Sequence, residues 1–159
     1  MNLAVIVLAA GMGKRMKSDI PKVLHNVFGR PMLSYVLDAV ESLLPKRVVV
    51  VVGHGAEDVK KISGSKKVTY VTQSKQLGTG HAANCAMEAL KNFKSNILIL
   101  NGDFPLINTA SLKKFINNHE KKKADISILT ALLDDPSGYG RIKRDQKGKV
   151  SGIVEEKDA

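Results

Sequence analysis

Tryptophan is absent from this sequence, all aromatics together make up only 4% of it, and there is one cysteine. Each scarcity excludes something. Without aromatic bulk, the core has to be packed from Val, Ile, Leu, Ala and Met. The one cysteine, Cys85, leaves no internal disulfide to form, which fits a reducing cytoplasm. It lies in the small-residue stretch HAANCAMEAL, which reads as a helix, so its expected role is a packing thiol rather than a nucleophile. Long hydrophobic runs are missing as well. The apolar run Leu3 to Ala10 is too short to span a bilayer and lacks the positive flank of a signal peptide. Neither a membrane segment nor a membrane partner is expected.

Acidic residues are the minority charge, 15 against 25 lysines and arginines, for a net charge of +10 and a pI near 9.7. Such a balance raises nucleic-acid binding as a reading. The basic residues, however, are scattered in pairs and short runs, and too few aromatics lie between them to stack bases. A solvated surface with one phosphate-binding cluster is the expectation, with no nucleic-acid partner. At 159 residues, 43% of them hydrophobic, the chain is sized for one domain with a single core.

Strand-like and helix-like segments alternate. Leu3 to Leu8 is a continuous apolar run ending in Ala-Ala-Gly, as expected of a parallel strand covered on both faces. Pro31 opens a helix at the one place where its missing N–H costs nothing. Leu33, Val36, Leu37, Val40, Leu43 and Leu44 then follow at helical spacing. Further strands are expected at Val48 to Val52, Lys67 to Val71, Asn96 to Leu100 and Asp125 to Leu133. Helices are expected at Ala56 to Ile62, His81 to Asn92 and Thr109 to Lys121. Tyr139 to Lys143 and Val150 to Val154 read as an antiparallel pair turning at Gln146-Lys147-Gly148. The pattern predicts an α/β fold, a three-layer α/β/α sandwich on a mostly parallel, Rossmann-like sheet. Ligands of such sheets sit beyond the carboxyl ends of the strands. Three loops lie there: Ala9 to Lys22, Gln73 to Gly80, and Asn101 to Ile107.

In the first loop, Gly11 and Gly13 allow backbone N–H groups close to an anion, and Lys14, Arg15 and Lys22 add positive charge, a combination suited to a triphosphate. A dinucleotide fingerprint would need a small residue where Met16 stands. A Walker loop would need glycine at Leu8 and Ser or Thr at Arg15. Neither fits, and a plain glycine turn with surface lysines stays open for this loop taken alone. In the second loop, the Gln73 amide offers a donor and an acceptor that can match the N–H and carbonyl edge of uracil. Gly78 and Gly80 permit close backbone contact, and Thr79 adds a hydroxyl. A Gly-Thr-Gly helix cap would look the same. His81 reads as a first-turn helix residue rather than a metal ligand or base. In the third loop, Asp103 follows a hydrophobic strand and Gly102, a suitable place for a carboxylate that holds a hard divalent cation, or simply for one that caps a turn.

Taken together, these loops resemble the nucleotidyltransferases that activate sugar-1-phosphates. Leu8-Ala9-Ala10-Gly11-Met12-Gly13 followed by Arg15-Met16 and Pro21-Lys22 carries the superfamily pattern. The likeness narrows with Lys22-Val23-Leu24-His25, Val52-Gly53-His54-Gly55, Gln76-Leu77-Gly78-Thr79-Gly80-His81-Ala82 and Gly102-Asp103 with Pro105-Leu106-Ile107. Asp134-Asp135-Pro136, Gly138-Tyr139-Gly140-Arg141-Ile142 and Gly152-Ile153-Val154-Glu155 continue it. These motifs are similar, over essentially the whole chain, to the bacterial bifunctional N-acetylglucosamine-1-phosphate uridylyltransferase/glucosamine-1-phosphate acetyltransferases.

The resemblance implies a Mg²⁺-dependent reaction of UTP with N-acetylglucosamine-1-phosphate in the cytoplasm, giving UDP-N-acetylglucosamine and pyrophosphate for cell-envelope polysaccharide precursors. It assigns Ala10 and Gly11 to uridine through their backbone, and Gln73, Gly78 and Thr79 to uracil and ribose. Arg15 and Lys22 are the implied catalytic residues, Arg15 at the pyrophosphate and Lys22 at the α-phosphate. Asp103 is the implied Mg²⁺ ligand, and Gly140 and Glu155 hold the N-acetylglucosamine. Lys14, where the family often has Ser or Thr, and Phe104, where a smaller residue is usual, depart from the pattern.

By the same resemblance, residues 1–159 are expected to form a partial nucleotidyltransferase domain, C-terminally incomplete, with the acetyltransferase β-helix domain absent. Weak turnover and self-association through exposed apolar surface are then expected. A related cytidylyl- or guanylyltransferase and a non-catalytic nucleotide-sensing module are the competing readings.

Overall fold

In the computed structural model, residues 2–11, 13, 16–62 and 67–158 are described. The chain forms two compact units, one running to Lys122 and the other starting at Lys123. Strand β1 (Leu3–Ala9) is built from seven consecutive apolar residues, and nearly all of them are buried. A strand hidden on both faces needs no alternation of polar and apolar residues, and its sequence shows none. It is followed by a short hairpin of β2 (Asn26–Val27) and β3 (Arg30–Pro31), helix α1 (Met32–Glu41), strand β4 (Arg47–Val52), α2 (Ala56–Ile62) and β5 (Thr69–Thr72). Helix α3 (Thr79–Met87), strand β6 (Asn96–Asn101) and α4 (Thr109–Lys122) complete the first unit.

The strands pair in the order β5-β4-β1-β6, and every pairing in this sheet is parallel. β1 lies inside, in register with β4 (Val5 opposite Val48) and with β6 (Leu8 opposite Asn101). Its alternate residues serve two cores. Leu3, Val5, Val7 and Ala9 pack with Leu33, Val36, Leu37 and Val40 of α1, Val59 of α2, and Leu112 and Ile116 of α4. Ala4 and Ile6 face the other way, onto Ala82 and Ala86 of α3 and Leu90 beyond it. The three-layer α/β/α sandwich with a parallel sheet therefore stands as expected. The chain steps outward from β1 through β4 to β5, then returns to β6 on the far side of β1. The crevice at that reversal is the usual ligand position in such sheets.

The second unit contains strands β7 (Arg141–Arg144) and β8 (Val150–Val154), paired antiparallel as expected, with a turn closed by Gly148 N–H donating to Asp145 O.

Three local expectations are corrected. Asp125 to Leu133 is not a strand: a strand requires a hydrogen-bonded neighbour, and no described residue forms a ladder with this segment. Its apolar residues, Ile126 and Leu132 among them, are exposed. Leu44 does not extend the apolar face of α1, because that helix ends at Glu41 and Leu44 sits in a turn with φ 51°, exposed. The helix expected from His81 to Asn92 starts earlier, at Thr79, and tightens into a 3-10 turn at Glu88–Leu90.

Leu33 is fully buried against β1. Leu33→Ala should lower unfolding free energy by about 2–5 kcal/mol, the usual cost of a core leucine truncation. Leu106→Ala, at an exposed position, should change it by less than about 0.5 kcal/mol. Urea denaturation of both variants is the check.

Candidate nucleotide-binding site

Beyond the carboxyl ends of β1, β5 and β6 lies a cleft of about 480 Å³, a volume suited to a small-molecule ligand. Leu8, Ala10, Gly11, Lys22 and Val23 line it from the first loop and its flanks, and Gln73, Gln76, Gly78, Thr79 and Ala82 from the second loop and the start of α3. Asn101 and Asp103 line it from the third. The three loops singled out in the sequence thus meet at one place.

Local chemistry explains their convergence. Gly13 has φ 62°, and a Cβ there would lie 2.8 Å from Lys22 Cβ, so only glycine lets the loop fold back against Lys22. Lys22 opens a short 3-10 turn (Lys22–Leu24), and its Nζ reaches Asp103 Oδ2 at 2.6 Å. Asp103 is carried past β6 by Gly102, whose N–H donates to Leu8 O at 2.8 Å and extends the β1–β6 ladder by one step. The second loop is tied to the first by Gln76, whose Nε2 donates to Ala10 O at 2.9 Å. The Gln-Leu-Gly-Thr-Gly-His run holds Gln76, yet sequence reasoning gave it no role, because its partner is a backbone carbonyl 66 positions away.

Among the described residues Gln73 is the one buried polar residue, 5% exposed. Its N–H continues the sheet by donating to Val52 O, and its side-chain amide donates to Gly78 O at 3.2 Å and meets His81 Nδ1 at 2.9 Å. Gly78, at φ 97°, caps α3, and its carbonyl also accepts the first helical bond, from Ala82 N–H. Sequence reasoning gave Gln73 a free donor and a free acceptor. In the structure its Nε2 lies within hydrogen-bond distance of both Gly78 O and His81 Nδ1, while its oxygen has no partner among the described residues.

Of the remaining candidates, Ala10, Gly11, Lys22, Gln73, Gly78, Thr79 and Asp103 all line the cleft. Arg15 and Lys14 lie outside the described residues. Gly140 and Glu155 belong to the second unit, where they meet beside the β7–β8 pairing: a Cβ on Gly140 would stand 3.7 Å from Glu155 Oε2. The 3-10 turn after Glu155 (Glu156–Asp158) is pinned by Arg141, whose guanidinium donates to Glu156. Cys85 is half-buried on α3, its Sγ 4.0 Å from His81 Nδ1, and it is not among the residues that line the cleft.

No group of three or more His, Cys, Asp or Glu able to hold a metal ion occurs among the described residues. Asp103 is a single hard oxygen donor at the edge of a cleft that also contains Lys22. This set fits a Mg²⁺-type ion, which takes one or two carboxylates and completes its shell with phosphate oxygens and water. It does not fit a closed structural metal cage.

The parallel sheet gathers a glycine loop, a lysine and an aspartate at its carboxyl edge. The family model for the MobA-like NTP transferase domain matches residues 5–136, and the chain belongs to that family. The particular relatives are more specific. Bifunctional protein GlmU of Thermoanaerobacter pseudethanolicus is 52% identical over 158 residues, 99% of this chain and 34% of that protein. The chain thus spans about a third of the length of the curated relatives it matches.

Among solved structures, HddC from Yersinia pseudotuberculosis, complexed with GMP-PN, superposes with a TM-score of 0.74 at 27% identity. That match covers 96% of this chain and 69% of HddC. A putative glucose-1-phosphate thymidylyltransferase from Bacillus anthracis shares the fold, with a TM-score of 0.82 at 21% identity over 97% of this chain and 64% of its own. No helix among the described residues is long and apolar enough to cross a membrane.

Two predictions follow from this geometry. Gly13→Ala should cost about 1–2 kcal/mol for the left-handed backbone alone and displace Lys22, measurable as lower urea stability with a weakened Lys22–Asp103 contact by NMR. The second concerns Glu156, whose carboxyl is held below its ordinary value of 4.5 chiefly by the Arg141 hydrogen bond, with help from Gly138 N–H. A carboxyl lowered on folding contributes stability above its unfolded value and loses it as pH falls through the folded one. Arg141→Gln should therefore move the Glu156 titration upward, toward 4.5; carboxyl ¹³C shifts against pH read it directly.

Proposed function

We propose that this chain carries the uridylyl-transfer site of an enzyme that joins UTP to N-acetylglucosamine-1-phosphate, giving UDP-N-acetylglucosamine and pyrophosphate. One observation carries the reading: an acceptor-only amide, Gln73, lies in the same cleft as Lys22 and Asp103. Uracil presents N3–H where cytosine presents a lone pair, so an amide oxygen with no donor beside it favours uracil. The high identity to GlmU relatives supports the same choice.

In this reading the backbone of Ala10 and Gly11 and the Gly78-Thr79 cap hold uridine beside Gln73. Lys22 supports the α-phosphate, and Arg15 the departing pyrophosphate. Asp103 holds Mg²⁺, which neutralises phosphate charge when bound. Gly140 and Glu155 take the N-acetylglucosamine. The attacking sugar phosphate oxygen is already an anion at neutral pH, so the residues need supply no general base. Their work is alignment and charge neutralisation. UTP as donor places the reaction in the cytoplasm. A guanylyl-transferring alternative draws on the GMP-PN complex of HddC, since guanine N1–H could also donate to Gln73.

Calorimetric titration with UTP, CTP and GTP, with and without Mg²⁺, separates these readings, and pyrophosphate release on adding N-acetylglucosamine-1-phosphate reports turnover. UTP should bind best, more tightly with Mg²⁺, and Lys22→Ala should weaken it about tenfold through loss of a charge-assisted contact. Equal or tighter binding of CTP or GTP would overturn the uridine assignment.

A further inference from the structure

The Gln73 amide could in principle sit either way round, and its orientation decides which base it accepts. Gly78 O settles the matter. A carbonyl oxygen can only accept, so the Gln73 atom 3.2 Å away must be Nε2 rather than Oε1. The same Nε2 lies 2.9 Å from His81 Nδ1. With one amide hydrogen on Gly78 O, the other points at His81, and Nδ1 must accept it. The imidazole is then neutral, with its proton on Nε2. Cys85 Sγ lies 4.0 Å from the same Nδ1, one helical turn further along α3. Oε1 of Gln73 accepts from no donor among the described residues and is left for the cleft.

We infer that His81 is a positioning residue for base selection: by accepting from Gln73 Nε2, it fixes the amide with its oxygen toward the nucleotide base. This rests on the uridine reading above and adds to it a residue that lies behind the base-facing one. Remove the acceptor at His81, and one amide hydrogen in a nearly dry site loses its partner. The amide is then less firmly held against rotation, and a rotated amide would present a donor, which suits the cytosine ring nitrogen.

The test has three parts. Imidazole ¹⁵N shifts of the unmodified chain at neutral pH should report an unprotonated Nδ1 and a protonated Nε2 for His81; a protonated Nδ1 would overturn the inference without any variant. His81→Leu, of similar volume and without an acceptor, should lower UTP affinity by roughly tenfold, the scale of one buried donor left unpaired, and shrink the UTP-over-CTP preference.

His81→Asn places an amide oxygen close to where Nδ1 was and should restore the preference to within about threefold. A residue that served only the packing of α3 would not distinguish Leu from Asn in this way. Gln73→Leu separates the two levels of argument. If it abolishes the UTP preference while His81→Leu retains it, the His81 inference fails and the uridine reading stands. If the unmodified chain shows no UTP preference, the uridine reading fails, and the ¹⁵N shifts still decide the tautomer.

Discussion

The parallel ladder that β1 shares with β4 and β6 is the constraint on which the rest of the first unit depends. A strand paired on both sides and buried on both faces cannot shift its register without exposing an apolar residue or stranding a backbone donor. Its end point is therefore fixed, and the site is assembled by hydrogen bonds to that end: Gly102 N–H to Leu8 O, and Gln76 to Ala10 O. Two loops that begin on different strands are located by carbonyls of a third. Rigidity of this kind suits a reaction in which the protein mostly aligns charged groups.

The apolar pattern made β1 legible because burial on both faces leaves an unbroken hydrophobic run, and the same held for β4. Helix α1 could be read from its spacing, but its end could not. Leu44 keeps the hydrophobic period, and nothing in the period says that the chain turns left-handed there. Asp125 to Leu133 has strand-like composition, yet composition reports preference and not the neighbour a strand needs.

The site shows the same division. Gly13, Lys22, Gln73 and Asp103 could be singled out as candidates because they fall in loops at strand ends and within a family pattern, although each loop alone also fitted a plain turn or cap. The polarity that Gln73 presents was not legible, since it depends on Gly78 O, a backbone atom brought into place by the cap of α3. Gln76 was passed over for the same reason: its partner carbonyl belongs to another loop.

The Lys22–Asp103 pair shows how the cleft can be both stable and available. Its side chains are 44% and 29% exposed, and a pair so accessible to water contributes on the order of 0–1 kcal/mol. Holding the fold together is work done elsewhere, in the two cores against β1. What the pair does is keep opposite charges in one cleft without leaving either unbalanced. Under the proposed function each group has a stronger partner in the ligand, phosphate for the ammonium and a hard cation for the carboxylate, so a weak mutual bond is an advantage. The contrast is Arg30, whose guanidinium is fixed between Asp38 at 2.7 Å and the face of Tyr35 at 4.9 Å, with its pKa raised chiefly by the Asp38 hydrogen bond. A planar fork held on two sides is a structural clip. A lysine on a flexible stem, paired once in a wet cleft, is free to change partners.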